Sequence, residues 1–374
     1  MIFTLELKLG IAGTAKNTGK TTVTAAIMDE LRRRGVPFYL TSIGYDGENL
    51  DNVTGLPKPK LPVQVGDIVA TAEKCLLAST ARFETLAQTG VNTPLGRIRV
   101  VRVTGEGLVV TAGPNKSSEV RLVTDILSSL GPGVTLLDGA LNRIVPMSET
   151  DGFILCTGAS RSTDIPRLAH EADCILRMAD LPLSPLAAAI DAQKLKAVSL
   201  LDIHGAVLAS LPFLSLLSAT DTALTLKTAL STQAVCLFVP GIIGEQALKQ
   251  LVSSRGTDRL LRYLALVNPI KLLALGNPIE YYAQFLQLSD SGLSTGVLRR
   301  IPLLAVTVNP FYPEYRYETA SYQPAYVDPV RLQLTMENAV GRPVYNVVRQ
   351  GIDEIIELIM SSRKTWYSPN SLQA

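Results

Sequence analysis

Histidine is nearly missing from this chain: His170 and His204 are the only two in 374 residues. Cysteine is scarce as well, and Cys75, Cys156, Cys174 and Cys236 stand too far apart to form a C-x-x-C pair. That leaves no His/Cys set with zinc-ligand spacing and no redox couple, so each cysteine reads as a small buried hydrophobe. Free thiols of this kind fit a cytoplasmic protein. An excess of either charge is missing too, with Lys+Arg 35 against Asp+Glu 33 and no block of like sign. The electrostatic footprint of a nucleic-acid or anionic-membrane partner is therefore absent. Nor is there a membrane-spanning run. The best stretch, residues 203–220, lacks formal charge but contains His204, Gly205, Pro212 and several serines. It reads as two strands joined by a turn. The first eight residues have no basic segment or cleavage pattern, so a signal peptide is not expected.

What is present is a core-forming composition, 47% apolar, in a chain long enough for two domains. Leu5, Leu7 and Leu9 alternate as in a strand that ends at Gly10-Ile11-Ala12, and Gly13 turns the chain. Residues 21–34 carry Val23, Ile27 and Leu31 at helical spacing, with Gly35 as the stop and Arg32 to Arg34 at the negative end of the dipole. A second strand follows over 36–43. Strand, loop, helix, strand opens an α/β unit. The turn-rich stretch 44–66 predicts a long functional loop. Residues 97–111 read as a hairpin around Gly105-Glu106-Gly107, and 117–130 as an amphipathic helix. Short strands are expected at 134–137, ending at Asp138, and at 153–156. Beyond residue 180 strand-like runs recur at 197–201, 206–211, 234–239, 271–275 and 303–308, with helical patterns between several of them and a last helix carrying Ile352, Ile355, Ile356 and Ile359. The expected architecture is α/β, a mostly parallel sheet flanked by helices over residues 1–180, with a second α/β region over 181–374.

The segment that carries chemistry is Gly13-Thr14-Ala15-Lys16-Asn17-Thr18-Gly19-Lys20-Thr21-Thr22, set between the first strand and the first helix. Phosphate oxygens need several donors converging on a small volume. Backbone N–H groups of a tight loop supply them, and the following helix adds its positive dipole end. Lys20 is placed to reach the β- and γ-phosphates, and the Thr21 hydroxyl to ligate Mg2+. Lys16 is either a second cation at the phosphates or a solvated loop lysine. The spacing is unusual, because five residues separate Gly13 from Gly19 where the common loop has four.

That longer spacing resembles dethiobiotin synthetase and its relatives in the MinD/signal-recognition (SIMIBI) class of P-loop proteins. A second segment carries the same likeness: Leu136-Leu137-Asp138-Gly139-Ala140-Leu141-Asn142-Arg143-Ile144-Val145-Pro146. The synthetase has an apolar strand ending in an acid, then Gly-Ala and a proline. Here Asp138 stands for its glutamate, which keeps the carboxylate and shortens it. The resemblance implies that Asp138 holds magnesium directly or through water, against the alternative of a turn aspartate before glycine. It also implies that Asp46, in Gly44-Tyr45-Asp46-Gly47-Glu48, senses the γ-phosphate and its metal, where a plain Asp-Gly turn is the rival. Lys58 or Lys60 would answer the synthetase's substrate lysine, though solvated loop lysines suit the insertion better.

Asp-Gly-Ala-Leu-Asn-Arg at 138–143, Ala-Gly-Pro-Asn-Lys at 112–116, the Asp-Gly-Glu loop and Val308-Asn309-Pro310 also resemble the P-loop subunit of the lysine 5,6-aminomutase reactivase. That likeness implies a nucleotide-driven helper of an adenosylcobalamin enzyme, with a MutS-like subunit or the aminomutase itself as partner. A homodimer is a separate expectation, independent of that likeness. Three functions are thus expected to compete: an NTPase doing work on a protein, a small-molecule synthetase or kinase, and a nucleotide-gated binding module. No Asn-Lys-x-Asp guanine motif is evident, which favours ATP over GTP. Phe311, Tyr312, Tyr315, Tyr317, Tyr322 and Tyr326 crowd one prolyl stretch that reads as a loop, packed on its own domain or offered to a partner.

Overall fold

A computed structural model describes residues 6–44, 60–140, 145–254, 260–273, 277–318 and 320–366. In chain order, the elements of the first part are β1 (Leu7–Gly13), α1 (Lys20–Arg33), β2 (Phe38–Ser42), β3 (Leu61–Val63), β4 (Ile68–Ala72), α2 (Glu73–Ala78), β5 (Arg82–Thr93), β6 (Gly96–Gly105), β7 (Gly107–Val109), α3 (Ser117–Ser128), β8 (Val134–Ala140), β9 (Gly152–Gly158) and α4 (Ile165–Ala179). There follow β10 (Ser199–Leu201), β11 (Val207–Ser210), α5 (Ala219–Thr232), β12 (Cys236–Val239), α6 (Glu245–Ser254), β13 (Tyr263–Leu266), α7 (Ile270–Leu273), α8 (Pro278–Asp290) and β14 (Ser294–Val297). The chain closes with β15 (Leu303–Asn309), β16 (Phe311–Arg316), β17 (Ser321–Tyr326), α9 (Pro329–Val340), β18 (Val344–Tyr345), α10 (Val347–Gln350) and α11 (Asp353–Trp366).

Two compact units divide the chain: residues 1–169 with 303–374, and residues 170–302. The first is built on a nine-stranded sheet in the order β18-β15-β9-β1-β8-β2-β4-β6-β5. All pairings from β18 to β4 are parallel, and β6 and β5 extend the sheet antiparallel. Parallel strands are covered on both faces, which explains why β1, β2, β8 and β9 read as almost unbroken apolar runs. One face packs Leu9, Ile11, Leu40 and Leu136 against Val23, Ile27 and Leu31 of α1 and Ile355, Ile356 and Ile359 of α11. The other packs Tyr39, Ala70 and Val100 against Val123 and Leu127 of α3. Each fully buried aliphatic side chain contributes on the order of 1.5–3 kcal/mol.

The second unit has a five-stranded sheet, β11-β10-β12-β13-β14, in which β12, β13 and β14 are parallel and β10 and β11 antiparallel. Leu201, Cys236, Phe238 and Ala265 form its core with Leu186 and Ile190. Ser218 caps α5 and Asn277 caps α8 through their side chains. All four cysteines are buried free thiols. Among the described residues no helix is long and apolar enough to cross a membrane.

Several expectations are corrected. The chain does not divide once near residue 180: it leaves the first unit inside α4 and returns at Leu303, because β15 pairs with β9 and restores the parallel sheet. The hairpin is not centred on Glu106. β5 and β6 pair across Pro94 and Leu95, while Gly107–Val109 crosses to β3. Residues 270–273 are helical, not a strand, since a short apolar run does not distinguish the two. The tyrosine-rich stretch is no loop but a regular antiparallel hairpin of β16 and β17. In 203–220 only β11 is a strand, and the turn at 202–206 joins it back to β10.

Candidate functional site

Because β1, β2, β8, β9 and β15 run parallel, their carboxyl ends lie at one edge of the sheet, where open α/β folds bind ligands. The loop from Gly13 leaves β1 at that edge, between β8 and β9. Its course is set by named contacts. Thr14 N–H donates to Cys156 O at 2.9 Å and its hydroxyl meets Thr157 Oγ1 at 2.9 Å. Thr18, only 2% exposed, donates its hydroxyl to Ala15 O at 3.0 Å. Ser160 Oγ donates to Lys16 O at 2.8 Å, and Asn309 Nδ2 donates to Asn17 O at 2.8 Å. The ends of β9 and β15 thus hold the loop that β1 delivers.

Two left-handed residues close it. Asn17 has φ 62° and Gly19 has φ 86°. Asparagine tolerates that region and glycine suits it, so the sequence matches the backbone at both positions. Gly19 is also the N-cap of α1, a helix with no side-chain cap and no acid in its first turn. Its first-turn N–H groups are therefore left for a ligand's oxygens, with the dipole behind them.

Lys20 Nζ lies 2.8 Å from Asp138 Oδ1. Asp138 is 8% exposed, and this oxygen has no directed hydrogen-bond donor among the described residues. The contact is thus a charge pair seen off-axis, weaker in geometry than its distance implies. A carboxylate buried beside an uncapped helix N-terminus, with Thr21 on the first turn, is the donor set that magnesium and a triphosphate require, so the residues present fit that ligand. Cys156 underlies the loop. Burial pushes its thiol up to about 12, so it stays protonated and inert near neutral pH.

Beside the loop opens a cavity of about 320 Å³, lined by Gly19, Thr22, Asn309, Phe311, Tyr326 and Asn346 among others. Phe311 and Tyr326 meet edge to face at 5.7 Å. Its volume and aromatic rim suit a planar ring.

The structure brings together Gly13, Asn17, Thr18, Gly19, Lys20, Thr21, Thr22 and Asp138. Lys16 is exposed, and it is its carbonyl that accepts the bond from Ser160. Lys60 donates to Ala78 O at 3.2 Å, in the β3 region. Asp46 and Lys58 lie outside the described residues. Sequence reasoning misses Asn309 as a loop brace and Ser42 as the cross-strand neighbour of Asp138. Asn309 has a signal, standing at a strand end before proline. Ser42 has none.

No protein-family model matches the chain, and no curated protein matches it. Among solved structures it is similar to the signal recognition particle receptor FtsY from Elizabethkingia anophelis, at 8% identity over 89% of this chain and 66% of that one, with a TM-score of 0.24. It is also similar to a LAO/AO transport system kinase, at 11% identity over 99% of this chain and 80% of that one, with a TM-score of 0.22. Superpositions this loose carry no functional argument; the geometry of the loop, Lys20 and Asp138 does.

Proposed function

We propose that the chain is a magnesium-dependent nucleoside triphosphatase, ATP-preferring, whose cycle does work on a protein partner. The observation that carries the reading is Lys20 against Asp138 beneath an uncapped helix N-terminus at the end of β1. In this reading the loop N–H groups and Lys20 bind the phosphates, and Thr21 and Asp138 hold the cation. A bound divalent cation would neutralise charge on the β- and γ-phosphate oxygens. With a nucleotide bound, Lys20 would pair with phosphate in place of the Asp138 carboxylate, which would leave Asp138 to hold the cation. Asp46 is retained as the second acid, proposed from sequence alone.

The sequence that follows β15 supports the base assignment, while the cavity has room for a purine of either kind. Asn309 stands at the end of β15, but Pro310 and Phe311 follow it where a guanine-reading segment would have Lys and Asp nearby, which favours adenine. Coupling to a protein is supported by the path from loop to surface: Asn309 braces Asn17 and passes directly, through Pro310, into the β16–β17 hairpin. That hairpin exposes Tyr317 at 88% and Tyr326 at 66%. A nucleotide that shifts the loop therefore has a short mechanical route to an aromatic surface of the kind partners bind. Reactivation of an adenosylcobalamin-dependent aminomutase is the partner work that the sequence resemblance implies.

The test is phosphate release from ATP by the pure chain, repeated with cell extract split into protein and metabolite fractions. Slow basal turnover accelerated by the protein fraction supports the reading. Acceleration by metabolites alone would make the chain a small-molecule synthetase or kinase instead.

A further inference from the structure

We propose that Ser42 is an oxygen donor of the divalent-cation site, an inference that rests on the nucleotide reading. Ser42 ends β2, and its Cα partner across the parallel ladder is Asp138. By alternation Ser42 shares a face with Leu40 and Phe38, and Asp138 with Leu136 and Val134. All four apolar residues belong to the core packed under α1. Hydroxyl and carboxylate therefore leave neighbouring strand ends on the face that carries the loop helix and Lys20.

Ser42 is 5% exposed, and its Oγ has no hydrogen-bond partner among the described residues. Asp138 Oδ1 likewise lacks a directed donor, its contact with Lys20 being one of charge. Several other buried hydroxyls are satisfied: Thr41 donates to Ala70 O at 3.0 Å, Thr89 to Ile98 O at 2.8 Å and Thr124 to Arg121 O at 3.0 Å. Unpaired hydroxyls also occur at Thr295 and Thr307, but their ladder partners are Leu264, Cys156 and Tyr345, none of them acidic. A buried hydroxyl with no partner, on the ladder position next to a carboxylate oxygen held only by the Lys20 charge, points to a ligand that both oxygens share.

That partner is a cation. A carboxylate and a hydroxyl are both hard oxygen donors, and the carboxylate would repel a phosphate placed between them. The pair is also held in place. Ile43 N–H donates to Asp138 O at 2.7 Å, and Gly44 and Gly113–Pro114 exchange backbone bonds of 2.9 and 3.0 Å. Gly113 passes so close that a Cβ there would lie 1.6 Å from Ser42 O, so only glycine permits the contact. Backbone support on both sides fixes the strand end that carries the hydroxyl, as a metal ligand needs.

The experiment titrates Mg2+ into the full chain holding a fluorescent ATP analogue, for wild type, Ser42→Ala, Ser42→Cys and Lys20→Ala. Cysteine keeps the size of serine but offers magnesium a poor, soft ligand. Both Ser42 variants should need roughly 10- to 100-fold more Mg2+ for half the effect, with affinity in EDTA as in wild type. If either variant titrates like wild type, Ser42 is no donor and the proposal falls, while the loop assignment stands. No binding by wild type, or undiminished binding by Lys20→Ala, overturns the loop assignment and this inference with it.

Discussion

Asp138 is the residue whose removal separates binding from chemistry. In Asp138→Asn the side chain keeps its size and loses the charge that engages Lys20 at 2.8 Å and that we propose holds the cation. Hydrolysis should fall tenfold or more, equivalent to about 1.4 kcal/mol of transition-state stabilisation. ATP binding measured in EDTA should tighten, because Lys20 is no longer shared with a carboxylate. Turnover and EDTA affinity measured on one preparation check both; unchanged turnover would move the principal acid elsewhere. At this scale the sequence is legible only where chemistry is local. Gly13 to Thr22 is a contiguous motif, and Asp138 is marked by the apolar strand before it. Ser42 and Asn309 acquire their roles through cross-strand register and a bond spanning most of the chain, neither of which leaves a local pattern.

Among the elements, β15 has the largest consequence for the site, since it ends in the brace on the loop. Asn309→Ala removes the donor to Asn17 O and should cost about 1 kcal/mol of loop order, roughly a fivefold loss of ATP affinity. Isothermal titration of the variant checks this, and full affinity would show that the brace is incidental. Long, strongly patterned elements are the readable ones. α1, α3 and α11 show apolar residues at helical spacing on the faces that pack in the core. The hairpin in the 80–111 region is harder to place because Gly105-Glu106-Gly107 has the composition of a turn, whereas the chain turns at Pro94-Leu95. Residues 270–273 resemble a strand because a short apolar run carries no period. The aromatic hairpin hides behind its prolines, Pro313 and Pro324, which face each other across a two-stranded ladder that tolerates them.

For the whole molecule, the return of the chain to its first unit at Leu303 means that one site draws on residues nearly 300 positions apart, as the 292-residue separation of Asn17 and Asn309 shows. Hydrogen exchange with and without Mg-ATP should therefore protect two distant stretches together, the loop with the start of α1 and the end of β15 with α10. Protection confined to the N-terminal stretch would contradict the described site. No pattern within 1–180 announces this return, because strand pairing between β9 and β15 is decided by tertiary packing alone.

That Gly13 to Thr22 holds a triphosphate through Lys20 is the claim on which the function depends. Thermal melting of wild type and Lys20→Ala, with and without saturating Mg-ATP, tests it most directly. At about 100 times Kd the nucleotide should add roughly 2.7 kcal/mol to the wild type. Lys20→Ala should fold, since the lysine is partly exposed at the loop, and should show no nucleotide-dependent shift. An equal shift in both proteins, or none in the wild type, would contradict the account.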